Sequence, residues 1–329
     1  MNIPLQIIHL QETPTDETFD EEGYLAVNLD VAAAVAARKL ASGRAHFKKF
    51  GRAEGRRQRV PQHRKAFLED PIPALRTGKM QRLAPLLARP PLALDAAGRA
   101  IYLTEELRRT YDLEDTELVS ENGYDDETES MIRSASDGLV LDVGAGNRPA
   151  YYSNVVNYEV VDYATTDVLG VGEELPFKDN SFDGVISIAV LEHVKNPFRC
   201  ASEIARVLRP GGWLKCCVPF LQPLHGYPHH YFNMTHEGLR TLFEPYLDIE
   251  RQEVTPPMHP VWAIAWQLRV WANALPPAAR KDFLRQRVSD LIQHPAGMLQ
   301  ELWARELPME KQFELAAATI LIGRKRDAR

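Results

Sequence analysis

Apolar and polar positions change their rhythm near residue 137, and the change divides the chain. Before it, the pattern is helical or irregular. Val31 to Leu40 reads as a short Ala-rich helix, with Asp30 as N-cap and Gly43 as its stop. A further helical turn spans Ala45 to Phe50 and ends at Gly51. Residues 57–90 carry Pro61, Pro71, Pro73, Pro85 and Pro90, which remove donors and block helix continuation, so they read as a linker with one short helix. Leu92–Leu94 and Arg99–Leu103 flank Ala96-Ala97-Gly98 as a small hairpin. After residue 137, short apolar runs alternate with helical patterns. Strands are expected at Gly138–Val143, Tyr158–Asp162, Thr165–Leu169, Phe182–Ile188, Gly212–Val218, Leu247–Val254 and Leu315–Ile322, with an amphipathic helix over Pro197–Leu208. Such alternation predicts an α/β fold, a mainly parallel sheet with helices on both faces. Residues 259–313 are Trp-rich and helical, too long for a loop, and are expected as a helical insertion before the last strand.

Composition narrows the class. The 329 residues are 45% hydrophobic and 26% charged, which is globular. A net charge of -6 disfavours a general nucleic-acid binder, and three cysteines exclude a disulfide scaffold. Met1 to Leu10 has no basic n-region, and the apolar stretch Pro260–Pro276 contains Gln267 and Arg269 and is too short to span a bilayer. A soluble cytoplasmic protein is expected. Charge is blocked along the front of the chain: seven acids and no Lys or Arg in residues 1–30, fifteen bases against three acids in 38–89, twelve acids against three bases in 95–130. Solvated surface, contact with an acidic partner or pairing between blocks would each account for this. The domain reading is a small helical module at 1–60, a linker and substrate-side cap at 61–130, and a ligand-binding domain at 131–329, separable from the first 90 residues.

The chemistry lies at the strand ends. The first strand of that domain runs into Asp142-Val143-Gly144-Ala145-Gly146, a turn without side chains where a ligand can lie against the backbone. Pro149 stands where a dinucleotide fingerprint needs its third glycine, which disfavours a nicotinamide or flavin enzyme. Asp142 would repel a pyrophosphate and suits an ammonium group. Asp162, sixteen residues after Gly146, is placed to accept both hydroxyls of a ribose. Leu175-Pro176-Phe177 can wall an adenine ring. Leu191-Glu192-His193-Val194 follows a strand end, and Leu208-Arg209-Pro210-Gly211-Gly212 makes the turn into the next strand.

In this order and spacing the motifs closely resemble the class I S-adenosylmethionine-dependent methyltransferases, over about residues 138–255. The family's fold is a Rossmann-like seven-stranded sheet. The resemblance implies S-adenosylmethionine as cofactor. Asp142, Gly144 and Gly146 would hold the methionine moiety and Asp162 the ribose. Glu173, Glu174 and Leu175 would flank adenine, and Ala189 to His193 would lie under the sulfonium. Val171 stands where relatives commonly carry an adenine-binding Asp, so that contact passes to backbone or Glu173. The span from Gly146 to Asp162 is short, so the first helix is expected to be reduced or absent, with Tyr151 and Tyr152 over the methionine end. Residues 219–239 resemble a subgroup found beside bacterial polysaccharide genes. Residues 24–56 resemble a small helical module of bacterial proteins, often beside glycan-handling enzymes.

Methyl transfer is an in-line displacement that needs alignment above all, and a base only where the acceptor is a hydroxyl. Imidazole ordinarily titrates near neutrality, so His193 is the candidate base, with His229 beside it as a second catalytic residue. The loop Phe220–Thr235 offers His225, Tyr227, His230 and Tyr231 to a polyhydroxylated substrate. His225, His229, His230 and His236 form a tempting metal cluster. Pro223 and Pro228 argue against the helix it needs, and Ala189 replaces the extra Glu with which some relatives hold a cation, so no metal is expected. The reading is methyl transfer to a small-molecule or glycan acceptor, with a hydroxyl as the expected target. The alternatives are a non-catalytic nucleoside-binding module that docks a partner, and an RNA methyltransferase, which lacks an Asn-Pro-Pro-Tyr-type motif here.

Overall fold

Seven strands share one sheet, and the sequence places them on the two sides of the Gly144 turn. The computed structural model describes residues 5–60, 71–114, 121–226 and 229–320. In chain order its strands are β1 (Ile7–His9), β2 (Gln11–Glu12), β3 (Gln58–Arg59), β4 (Ala93–Leu94), β5 (Ala100–Ile101), β6 (Val140–Val143), β7 (Ala150–Tyr152), β8 (Val155–Glu159), β9 (Val168–Leu169), β10 (Phe182–Ile188) and β11 (Leu208–Cys217). The main sheet has the order β11-β10-β6-β8-β9-β5-β4. Every pair in it is parallel except the β4–β5 hairpin. This is the expected Rossmann-like α/β sheet of seven strands.

Its edge differs from expectation. Among the described residues, 247–254 and 316–320 form no strand, and residues 321–322 lie outside them. The sheet is extended instead by β5 and β4, the hairpin from the front of the chain, where Ala100–Ile101 pairs with Val168–Leu169. Ala100 and Tyr102 are buried in the main core, which rewards this pairing. The late apolar runs had strand composition, but Leu247 and Ile249 are satisfied by packing against the same core from outside the sheet.

The stretch expected as linker and cap is structural too. Helix Pro71–Leu83 buries Leu83 and packs Met80 on the core. Its Lys79 Nζ donates to Asp167 Oδ2 at 2.7 Å and its Arg76 Nε to Asp167 Oδ1 at 3.3 Å, with all three side chains buried. The Tyr151 hydroxyl and the Asn157 N–H, the latter at 2.9 Å, also donate to Asp167. Burial holds Lys79 down to about 8, against the pull of Asp167. The front module, with helices Glu21–Val27, Leu29–Ala36 and Gly43–His46, has its own small core of Phe19, Tyr24, Val31 and Phe47. It is not detached: β1 pairs antiparallel with β7, and the Leu10 N–H donates to the Pro149 carbonyl at 2.8 Å.

Between β6 and β8 no helix forms, as the short spacing predicts, and β7 takes its place. Tyr151 and Tyr152 therefore belong to the core. The former reaches Asp167, and the latter donates to Glu129 Oε1 at 2.9 Å. The region 259–313 is helical as expected and gathers Ala272, Leu275, Ala279, Phe283, Trp303 and Leu307 into a core of its own. No described helix is long and apolar enough to cross a membrane.

Candidate active site

Parallel strands deliver their C-terminal ends to one rim, so β6, β8 and β10 bring the sequence motifs together. At the end of β6 the turn takes φ of +73° at Gly144 and +64° at Gly146, which a β-carbon disfavours. A β-carbon on Gly144 would also stand 2.4 Å from Val190 Cγ2. The missing side chain thus lets the β10 rim close against the β6 turn, rather than leaving bare backbone as the sequence alone implied.

Asp142 is fully buried, and its Oδ2 accepts from Arg148 Nε at 2.8 Å and from the Tyr124 hydroxyl at 2.5 Å. Its charge is met by an internal guanidinium that sequence reasoning missed. Only Oδ1 remains without a partner.

Asp162 is not at the strand end. β8 finishes three residues earlier, at Glu159, because Val155 and Val156 rather than Val160 and Val161 fill the core. The Asp162 side chain is 68% exposed and pairs with Arg99 at 3.2 Å. Glu159 is the carboxylate facing the glycine turn. Its Oε2 accepts the Gly146 N–H at 2.8 Å and its Oε1 the Val160 N–H at 2.6 Å. It keeps some contact with solvent, yet desolvation pushes its carboxyl up. Apolar runs at 155–156 and 160–161 are equivalent on periodicity, which is why the register was missed.

The residues expected beside adenine face inward. Leu175 is in the core, and its N–H donates to Glu203 Oε2 at 2.9 Å. Glu173 is buried, its Oε1 accepts the Asn196 N–H at 3.3 Å, and burial pushes it up. Glu174 Oε1 accepts from the Tyr111 hydroxyl at 3.0 Å.

Across the rim, β10 is followed by Ala189, whose φ of +55° is a strained value for a residue with a side chain. The turn it makes aims Glu192 and His193 back over the sheet. Glu192 is completely buried and both carboxylate oxygens lack a hydrogen-bond partner. His193 Nδ1 donates to the His229 carbonyl at 2.7 Å, leaving Nε2 3.7 Å from Glu192 Oε1. His225 Nδ1 donates to the Pro223 carbonyl at 2.9 Å, leaving Nε2 3.8 Å from the same oxygen. His230 spends both ring nitrogens, on the His225 backbone and on Asn233 Oδ1. The Tyr231 N–H donates to the Glu192 carbonyl at 2.7 Å, which ties the loop to the strand end. Trp266, from the inserted helix, lies 5.1 Å from the His225 ring. Of the tempting histidine cluster, His236 stands apart and exposed. The His229 side chain opens into a cleft of about 850 Å³ shared with Glu105, Arg108, Arg109, Asp112, Leu113 and Glu114. Tyr227 lies outside the described residues.

The comparisons with known proteins fall on this rim. Residues 141–216 match the family model described as a methyltransferase domain, which takes in β6, the glycine turn, β10 and β11. This segment is similar to methyltransferase domains, in line with the resemblance carried by its motifs. Relatives of the methyltransferase domain include an uncharacterized methyltransferase of Mycolicibacterium vanbaalenii, 35% identical over 105 residues, 26% of this chain and 40% of that protein. A biotin biosynthesis bifunctional protein of Teredinibacter turnerae is 51% identical over 45 residues, 14% of this chain and 8% of its own length. Among solved structures, a methyltransferase of Thermotoga maritima described as a possible histamine N-methyltransferase has 22% identity and a TM-score of 0.27, covering 33% of this chain and 63% of that one. The chain matches less than half the length of these curated relatives.

The donor set fits S-adenosylmethionine, the cofactor of such domains. Glu159 offers a strand-end carboxylate to a vicinal diol. The unpartnered Asp142 Oδ1 offers an acceptor for an ammonium.

Proposed function

We propose that this protein transfers a methyl group from S-adenosylmethionine to a hydroxyl of a small-molecule or glycan acceptor bound in the cleft beside His229. The observation that carries the reading is the Glu159 carboxylate at the end of β8, hydrogen-bonded to the Gly146 N–H of the glycine turn inside a methyltransferase domain. Glu159 would hold the ribose, in place of Asp162, and Asp142 with the Gly144–Gly146 turn would hold the amino-acid end. The cofactor supplies an already activated methyl group, so the protein's part is to place the acceptor oxygen in line and to relieve it of its proton.

His193 supports the second task. In the neutral imidazole the His229 carbonyl holds the proton on Nδ1, which leaves the Nε2 lone pair at the rim. His229 thus orients His193 through its backbone, while its side chain lines the cleft. A polysaccharide setting rests on the sequence resemblance, and the imidazoles and aromatic rings of residues 225–231 suit polyhydroxylated ligands.

Calorimetric titration with S-adenosylmethionine and S-adenosylhomocysteine tests the cofactor. A mass-spectrometric screen for a methyl-sized mass gain on nucleotide sugars, lipid-linked glycans and small phenols tests the acceptor. No binding of either nucleoside would overturn the reading. Binding without transfer to any hydroxyl-bearing compound would favour the non-catalytic module.

A further inference from the structure

We propose that Glu192, His193 and His225 bind a divalent transition-metal ion. Three groups able to ligate a metal converge here. Glu192 is wholly buried and neither of its oxygens has a hydrogen-bond partner. Both imidazoles have their Nδ1–H consumed by a backbone carbonyl, His229 for His193 and Pro223 for His225. Each therefore turns its remaining ring nitrogen, Nε2, toward the carboxylate, at 3.7 and 3.8 Å. The three ligand atoms lie within 4.8 Å of one another.

A wholly buried carboxylate without a hydrogen-bond partner is electrostatically unfavourable unless something positive sits beside it. The separations are too long for hydrogen bonds. They are slightly wider than the roughly 3–3.5 Å that separates neighbouring ligands on one metal with bonds of about 2.1 Å. Small side-chain rotations close that gap. A carbonyl gripping the far nitrogen of each imidazole is the outer-shell arrangement that fixes a metal-binding tautomer. Two imidazoles and one carboxylate favour Zn(II), Fe(II), Co(II) or Mn(II) over Mg(II) or Ca(II), which prefer all-oxygen sites. His193 and His225 remain 28% and 19% exposed, so coordination positions stay open toward the rim. His230 takes no part as a ligand, since its nitrogens are engaged, but its ring braces His225 at 4.5 Å between centroids.

The ion would lie where the acceptor oxygen is expected; with it bound, His193 Nε2 is a ligand rather than the base, and the ion would hold the acceptor oxygen and ease loss of its proton instead. This goes beyond the methyl-transfer reading, and metal binding is measured without it. The sequence pointed away from a metal because Pro223 and Pro228 forbid a helical His pair. The loop achieves the convergence without a helix, and the Pro223 carbonyl is itself one of the orienting groups.

The test uses the full-length, tag-free chain, stripped with chelator and titrated with Co(II). Co(II) absorption reports imidazole ligation, and Zn(II) stoichiometry after dialysis is read by elemental analysis. One ion per chain is expected. Glu192→Gln and His225→Gln should each weaken binding by about 100-fold or more, beyond the roughly 10–100-fold typical of outer-shell changes. His236→Ala should bind as the parent does. Near-UV circular dichroism and thermal melting on the same samples separate ligand loss from unfolding. His225→Gln lies on a loop, so it serves if Glu192→Gln does not fold. Failure to retain an ion, or equal retention in folded Glu192→Gln and His225→Gln proteins, overturns the site. If the ion binds while S-adenosylmethionine does not, this proposal stands and the methyl-transfer reading falls.

Discussion

Asp167 and Glu192 are both wholly buried carboxylates of the same α/β unit, and their surroundings are opposites. Asp167 takes hydrogen bonds from Lys79, Arg76, Tyr151 and the Asn157 backbone. Glu192 takes none on either carboxylate oxygen. A buried charge with four donors is a structural joint, here between helix Pro71–Leu83 and the sheet. A buried charge without donors is a cost the fold carries for a ligand. Glu159 stands between them, with two backbone N–H groups and some remaining contact with solvent.

The largest effect that would sharpen this contrast is truncation. Removing residues 1–90 deletes Lys79, Arg76, Leu83 and β1, leaving Asp167 half-partnered beside an opened core. The shortened chain should fail to give a soluble, cooperatively melting product. Recovery of a stable domain would restore the boundary that charge and proline content suggested. Next comes Asp167→Ala against Glu192→Gln in chelated protein. Breaking the paired cluster should cost about 3–5 kcal/mol in chemical denaturation, because it strands buried Lys79 and Arg76. Neutralising Glu192 should leave stability within about 1 kcal/mol of the parent or raise it, since no partner is lost. Equal losses in the two variants would break the comparison.

Cofactor affinity separates the two candidate ribose acids. Glu159→Ala should weaken S-adenosylhomocysteine by about 2–4 kcal/mol, on the order of 30- to 1000-fold, measured by calorimetry. Asp162→Ala should change it by less than about threefold, as its side chain faces solvent and Arg99. The reverse outcome would return the ribose to Asp162.

The smallest effect is on pH. Desolvation raises the Glu159 carboxyl, and the ionised form is the one that accepts two hydroxyl hydrogens. Affinity should therefore be full where Glu159 is ionised and fall as pH drops through its raised pKa. That decline should begin above the ordinary glutamate range and be absent in Glu159→Gln. A decline confined to that ordinary range or below would mean the site is more solvated than its packing implies.

Much of the site was legible in the residues themselves. The Gly144–Gly146 turn, the Phe182–Ile188 strand, the helix after Pro197 and the missing helix before β8 all follow from local pattern, and each is found within a residue or two of its expected place. Where two apolar runs were equivalent, as on either side of Glu159, local pattern had no means to choose. Long-range packing chose Val155 and Val156, and with them the strand-end carboxylate.

The sequence by itself determined the fold class, the order of motifs and the identity of the turn residues, because these depend on neighbours a few positions apart. Only the tertiary structure decided what completes the sheet edge. A hairpin of weak strand composition joins it beside β9, where Ala100 and Ile101 find a parallel partner, and among the described residues no late run pairs beside β11. It alone showed that Lys79 is buried against a carboxylate 88 positions away, and that Asp142 answers to Arg148. It alone set His225 across from Glu192. That meeting depends on a loop held by the Pro223 carbonyl and by the Tyr231 N–H on the strand end, contacts that no periodicity encodes.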